Sequence, residues 1–159
     1  MTGEQKRLAY RDLGARIAGL LAAPSDPVAT MANVAAAVHH ALPYASWTGF
    51  YRVVRPGLLR VGPFQGPVAC VDIPFERGVC GAAARTGETQ VVADVHAFEG
   101  HVACDPAARS EIVIPLRDAA GDVFAVLDVD SHLPAAFDDV DREELEKLAA
   151  RFVHGLIAV

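Results

Sequence analysis

Three thiols, three carboxylates and two aromatic rings are the side chains of this sequence whose types and spacing could do chemistry. Cys70 and Cys80 lie in GPFQGPVACVDIPFERGVCGAAA, residues 62–84. Cys104 lies in DVHAFEGHVACDPAARSEIVIPL, residues 94–116, beside His96, His101 and Glu111. Asp128 and Asp130 follow in LDVDS, and Trp47 and Tyr51 precede them all in WTGFY. Three uses are open to such thiols: filling a core, holding a metal, or pairing one thiol that reacts with another that resolves it. Paired spacing such as C-x2-C, which a zinc site calls for, is missing, so no metal is expected. An odd cysteine count with no export signal also argues against a structural disulfide framework.

A cysteine attacks as its thiolate, and an unperturbed thiol has a pKa of ~8.5. Nearby acids alone make ionisation harder, so help must come from a polarised substrate, from backbone amides, or from His96 or His101. The acids suit a different task. Glu111, Asp128 and Asp130 interrupt runs that otherwise read as buried strand, and residues two apart in a strand face the same side. Carboxylates crowded into one pocket push the pKa of at least one upward, and the protonated member can deliver its proton to a leaving oxygen. Trp47 and Tyr51, four apart, share a strand face and form an aromatic wall suited to a sulfur-bearing ligand.

These residues need a scaffold. At 159 residues the chain has room for one domain with a real core. It is 52% hydrophobic, yet no run reaches the ~18 apolar residues of a membrane span, and MTGEQKRLAYRD lacks the apolar centre of a signal peptide. A cytoplasmic protein that engages no membrane is expected. The net charge of −6, without clustered Lys and Arg, excludes broad nucleic-acid binding. Leu13, Ile17, Leu20 and Leu21 predict an amphipathic helix over 5–22. Asp26-Pro27 starts a second one, capped by Asp26 and ended before Pro43. SWTGFYRVV and LLRVG flank the Pro56-Gly57 turn as a hairpin. ACVDIP, TQVVAD, EIVIPLRD and VFAVLDVDS read as further strands, and GVCGAAART as a short helix pressed onto the sheet. Asp138 or Asp139 caps a last helix over about 138–157, with acids early and bases late. The expected architecture is α+β: helices over about 5–42, an antiparallel sheet with its pocket over 46–131, and the closing helix.

The order of elements and both cysteine blocks resemble the GAF-domain free methionine-(R)-sulfoxide reductases. The resemblance runs from SDPVATMANVAAAVHHALP to FDDVD and rests on GPFQG…AC…IPF.RGVCG, DVHAF.GH.ACD, SEI..PL and LD.DS. It implies a single GAF-like domain with a six-stranded antiparallel sheet and the N- and C-terminal helices packed on one side. It also implies reduction of free L-methionine-(R)-sulfoxide, no bound cofactor, and thioredoxin, itself NADPH-linked, as the external reductant. By motif matching Cys104 falls on the attacking cysteine, Cys70 on the resolving one, and Cys80 on a third that is an alternative disulfide partner. Glu111, Asp128 and Asp130 match the pocket acids, with Glu111 and Asp130 the candidate catalytic ones; Trp47 and Tyr51 match the aromatic residues near the substrate. Pro67 departs from the Lys that often follows GPFQG in relatives, which stiffens the loop before Cys70. A homodimer is expected too, since the first helix offers an amphipathic face and related domains often pair.

Two other classes of function share this fold: a sensor that binds a small ligand without turnover, and a thiol switch that oxidises without a sulfoxide substrate. A reductase consumes reductant only when the sulfoxide is present, and that separates the three.

Overall fold

Alternation along the strands divides the apolar residues between two cores. The computed structural model describes residues 1–22, 26–102 and 104–157; Ser25, at the head of the SDPVATM segment, and Ala103, within the second cysteine block, lie outside them. Its strands are β1 (Trp47–Arg55), β2 (Leu58–Gln65), β3 (Asp72–Pro74), β4 (Gln90–Val92), β5 (Ser110–Arg117) and β6 (Val123–Ser131). They form one antiparallel sheet in the order β3-β2-β1-β6-β5-β4. Phe50, Ile112, Ile114, Leu127 and Val129 face one way. There they meet Leu13 and Ile17 of α1 (Gly3–Leu20), Val34 and Val38 of α2 (Pro27–Ala41), and Leu145 and Phe152 of α4 (Asp139–Ile157). Trp47, Tyr51, Val113 and Val126 face the other way, onto Val79, Cys80 and Ala83 of α3 (Gly78–Thr86). The N- and C-terminal helices therefore share one face, as expected, while the short small-residue helix covers the opposite one.

Local chemistry sets the element ends. Asp26 accepts hydrogen bonds from the Val28 and Ala29 amides at 2.9 and 3.0 Å, with Pro27 in the first turn, where its missing N–H costs nothing. Asp138, rather than Asp139, accepts from the amides of Val140 and Asp141 and heads α4. Small residues let α3 sit close: a Cβ on Gly81 would come within 2.7 Å of the Pro74 and Phe75 carbonyl oxygens. The two edge strands are shorter than ACVDIP and TQVVAD predict. Ala69 and Cys70 leave the ladder because their loop is held from inside, where Tyr51 Oη donates to the Cys70 carbonyl at 3.2 Å. Short edges also limit the unpaired backbone presented to other chains. Among the described residues no helix is long and apolar enough to cross a membrane.

One buried polar cluster ties α1 and α4 to the turn that leads from α2 into β1. Asp141 is fully buried and accepts from Lys6 Nζ and from the hydroxyls of Tyr10 and Tyr44, while Lys6 also meets Asp138 at 3.0 Å. Such a cluster stabilises only while every member is satisfied. Tyr10→Phe removes one donor to a buried charge, so a loss of about 2 kcal/mol, several degrees of Tm, is expected. A thermal melt unchanged by this substitution would show that Lys6 and Tyr44 suffice to hold Asp141.

Candidate active site

Strand register assembles the acids into two rows on the α3 face. Trp47 of β1 lies opposite Asp130 of β6, which lies opposite Glu111 of β5; one step along, Gly49, Asp128 and Val113 form the next row. Trp47 and Tyr51 stack with ring centroids 5.8 Å apart, and Trp47 stacks on Phe64 at 5.2 Å. Gly49 makes this possible, because a Cβ there would collide with Phe64 and with the Trp47 ring. A glycine inside a strand, two residues after a Trp on the same face, is the sequence signal for that close approach, and the motif reading passed over it.

Trp47, Tyr51, Cys80, Cys104, Glu111, Asp128 and Asp130 all line one cavity of about 40 Å³, together with His101. Cys70 is joined to Cys104 in a disulfide with Cα atoms 5.3 Å apart. Of the two partners open to Cys104, Cys70 is thus the bonded one. Cys80 is a free, buried thiol whose Sγ lies 3.2 Å from Asp128 Oδ2 and 3.9 Å from Glu111 Oε1. Asp128 Oδ1 is buried with no hydrogen-bond partner among the described residues, which leaves a free acceptor in the cavity wall. Pro67 offers its carbonyl to Trp47 Nε1 at 3.1 Å, so the aromatic wall carries the loop that bears Cys70. His96 lies beside His101, with ring centroids 6.4 Å apart.

Enclosure and mutual repulsion decide where protons sit. Burial, then the negative charges of Asp128 and Asp130, holds Glu111 far above the usual carboxylate range. Asp130 is likewise raised by burial and then by Asp128 and Asp105. Burial pushes Asp128 up to about 7, while hydrogen bonds from Cys80 and Glu111 pull it back down. All three carboxyls thus hold protons to higher pH than free acids do, and they titrate as one interacting group. The Cys80 thiol is raised by burial and by the charges of Asp128 and Glu111, and it stays protonated as a donor. Burial and the neighbouring His96 lower His101, leaving a neutral imidazole that can accept a proton.

These shifts carry a cost in stability. A carboxyl whose pKa is higher in the fold than in the unfolded chain favours folding below its unfolded pKa, and that contribution drains away as pH rises toward the folded value. For Asp128 the window runs from 3.8 to about 7. Glu111→Gln keeps the shape and removes one titrating member. It is expected to raise Tm near neutral pH by about 3 °C or more and to flatten the decline across that window. A melt series with the wild-type slope would place the cost elsewhere.

Cys80, Glu111 and Asp128 are also, among the described residues, a trio able to hold a cation, with one ligand atom from each within 4.8 Å of the others. Their shared hydrogen bonds explain the same closeness. One further contact had no signal in the sequence. His132 Nε2 meets Asp105 Oδ2 at 2.8 Å, which ties the residue after Cys104 to the end of β6 and holds Asp105 below the usual carboxylate range.

The GAF domain family model matches residues 24–153. Over 142 residues the chain is 42% identical to a free methionine-R-sulfoxide reductase of Escherichia coli, covering 89% of this chain and 85% of that protein. It is 44% identical over 128 residues to the protein of the same description from Saccharomyces cerevisiae, covering 77% and 71%. Among solved structures, the X-ray structure of free methionine-R-sulfoxide reductase from Neisseria meningitidis in complex with its substrate superposes with a TM-score of 0.89. It is 44% identical, and the match covers 94% of this chain and 89% of that one.

Proposed function

We propose, for a chain that belongs to the GAF-domain free methionine-(R)-sulfoxide reductase family, that it reduces free L-methionine-(R)-sulfoxide through Cys104. The observation that carries this reading is one cavity lined by Cys104 and by three carboxyls whose protons are held above the usual range, with Cys70 bonded to that same cysteine. The Cys104 thiolate attacks the sulfoxide sulfur, and a protonated carboxyl gives its proton to the departing oxygen. The substrate S–O bond breaks, the protonated oxygen passes to the Cys104 sulfur, and methionine leaves, with Cys104 left as a sulfenic acid. The Cys70 thiol then condenses with it, releasing water and closing the disulfide. Thioredoxin returns two electrons and two protons and is oxidised to its own disulfide. Glu111 and Asp130, neighbours across the β5–β6 register, are the proton donors. Asp128, with its free Oδ1, holds the substrate ammonium. The ring faces of Trp47 and Tyr51 receive the S-methyl end, and fixing oxygen and methyl on different walls selects one epimer.

The cavity supports a sequence of states. About 40 Å³ is far below the ~300 Å³ at the small end of ligand sites. The disulfide form is therefore expected not to bind the sulfoxide, and the reduced form to bind it. Calorimetric titration of both forms checks this, and equal affinities would remove the proposed opening. A homodimer belongs to the same proposal. The apolar stripe of α1 is spent on α2 and α4 within the chain, so pairing would use outward residues such as Leu8. A light-scattering mass of one chain would exclude it.

The deciding assay is thioredoxin-coupled NADPH oxidation with free methionine-(R)-sulfoxide, the S epimer and a peptide-bound sulfoxide. Turnover with the free R epimer alone is expected. A reduced, folded protein that turns over none of them, yet forms its disulfide with peroxide, would instead be a redox switch.

A further inference from the structure

We propose that Ser131 and Ser110 are positioning residues for the reduction: their hydroxyls form a belt that fixes the gaps between Trp47, Asp130 and Glu111, and with them the choice of epimer. The proposal deepens the reductase reading and rests on it for the substrate, while the belt itself rests on geometry.

Both motifs that carry the proton donors join an acid to a serine. Ser110 precedes Glu111 in SEI, and Ser131 follows Asp130 in LDVDS. The register sets Ser110 opposite Ser131 as it sets Glu111 opposite Asp130. Neighbours along a strand face opposite sides, so the acids point to the cavity and the serines to the helical layer. Both serines are fully buried. Ser131 Oγ donates to the Tyr44 carbonyl at 2.6 Å and accepts from the Leu133 amide at 3.1 Å. Ser110 Oγ donates to the Leu133 carbonyl at 2.6 Å and accepts from the Ala136 amide at 3.2 Å. Leu133 thus joins the two hydroxyls, and the belt runs from Tyr44 to Ala136. Its far ends are fixed to the helices. Tyr44 Oη donates to Asp141 of α4, and the Ala136 carbonyl accepts from Lys6 of α1 at 3.0 Å.

The belt lies where the sheet is least able to hold itself. Trp47 and Asp130 are the last pair between β1 and β6, and only Ser110 and Ser131 pair beyond Glu111 and Asp130. Strand ends open at little cost in free energy. Ser131 ties the end of β6 to the segment entering β1, and so governs the gap between Trp47 and Asp130. Ser110 ties the start of β5 to the chain leaving β6, and so governs the gap between Asp130 and Glu111. The two sulfoxide epimers differ by exchange of oxygen and methyl at sulfur. With oxygen held on the donors and methyl on the ring, a fixed gap accepts one and refuses the other.

Ser131→Ala and Ser110→Ala are assayed with both epimers. Thr30→Val is the control, since it removes a buried hydroxyl that donates to the Asp26 carbonyl at the head of α2. Ser131→Ala is expected to lower kcat for the R epimer about tenfold and to make the S epimer a measurable substrate. KM should stay close to wild type, because Asp128 in the next row holds the ammonium. Wild-type kcat, or an S epimer refused as fully as by wild type, overturns the belt. A second readout needs no substrate, because Trp47 is the chain's one tryptophan and only 3% exposed. Acrylamide quenching of its fluorescence is expected to rise about twofold in reduced Ser131→Ala, where the strand end is free to open. Ser110→Ala, which keeps the Tyr44 contact, is expected to lose kcat with quenching unchanged, and Thr30→Val to change neither. Quenching in Ser131→Ala equal to wild type overturns the proposal whatever the substrate. Wild-type protein that turns over neither epimer, with the quenching difference intact, faults the substrate and upholds the belt.

Discussion

Cys104→Ser is expected to lower sulfoxide reduction by at least about 10³-fold, because a hydroxyl in that position neither ionises near neutral pH nor accepts the oxidation that drives the reaction. The two other thiols separate on a different axis. Cys70→Ser retains the attacking sulfur and is expected to release one methionine per chain and then stall with thioredoxin as reductant. The sulfenic acid on Cys104 has lost the thiol bonded to it in the disulfide form. Cys80→Ser is expected to keep turning over at a rate reduced several-fold. Its sulfur is buried, stays protonated and donates to Asp128, so serine supplies a similar donor of smaller size. Methionine counted per chain in a quenched time course, with dimedone to label sulfenic acid, reads all three variants. A stall after one turnover in Cys80→Ser would make that thiol an obligatory relay to Cys70. A Cys104→Ser protein that still turned over would move the nucleophile elsewhere.

The sequence carried the faces of the sheet but not the depth of the site. Ile112, Val113 and Ile114 alternate between two apolar layers, as do Val126, Leu127 and Val129 after them, so an acid at 111, 128 or 130 had to point into one particular core. That is period-two logic, and it held because both faces of these strands are buried by different partners. The cysteine blocks pointed to a reactive pair. Which thiol sits against Cys104 was not legible, because 34 residues separate the bonded partners and the fold alone joins them. The start of β3 lies later than ACVDIP predicts for a related reason. ACVDIP reads as one run, yet a hydroxyl from Tyr51 and the bond to Cys104 hold Ala69 and Cys70 away from the ladder, while the Val71 carbonyl still accepts from the Val61 amide at 2.9 Å. Asp105 and His132 show the same limit: charged residues far apart in the chain pair only once β6 ends beside the Cys104 segment.

Glu111→Gln is expected to lower kcat by about 10²- to 10³-fold, since glutamine keeps the hydrogen bond to the sulfoxide oxygen but cannot give up a proton. The register makes Glu111 and Asp130 direct neighbours, and burial raises both of them and Asp128 above the usual carboxylate range. Protons therefore persist on this group of acids at a pH where free carboxyls have lost them. Proton donation is lost as pH rises through the raised value of Glu111, so single-turnover rates of pre-reduced protein should fall on the alkaline side. Asp128→Asn should move that fall to lower pH, because the Asp128 charge helps hold the Glu111 proton. The move is partial, since burial is the larger cause. The same variant should raise KM more than it lowers kcat, having lost the anion that faces the ammonium. Asp130→Asn separates the two donors: wild-type turnover would leave Glu111 as the sole acid. The assignment of Glu111 fails if Glu111→Gln keeps both the wild-type kcat and the alkaline fall, because the proton would then have to come from Asp130, its neighbour in the row, or from a group outside that row.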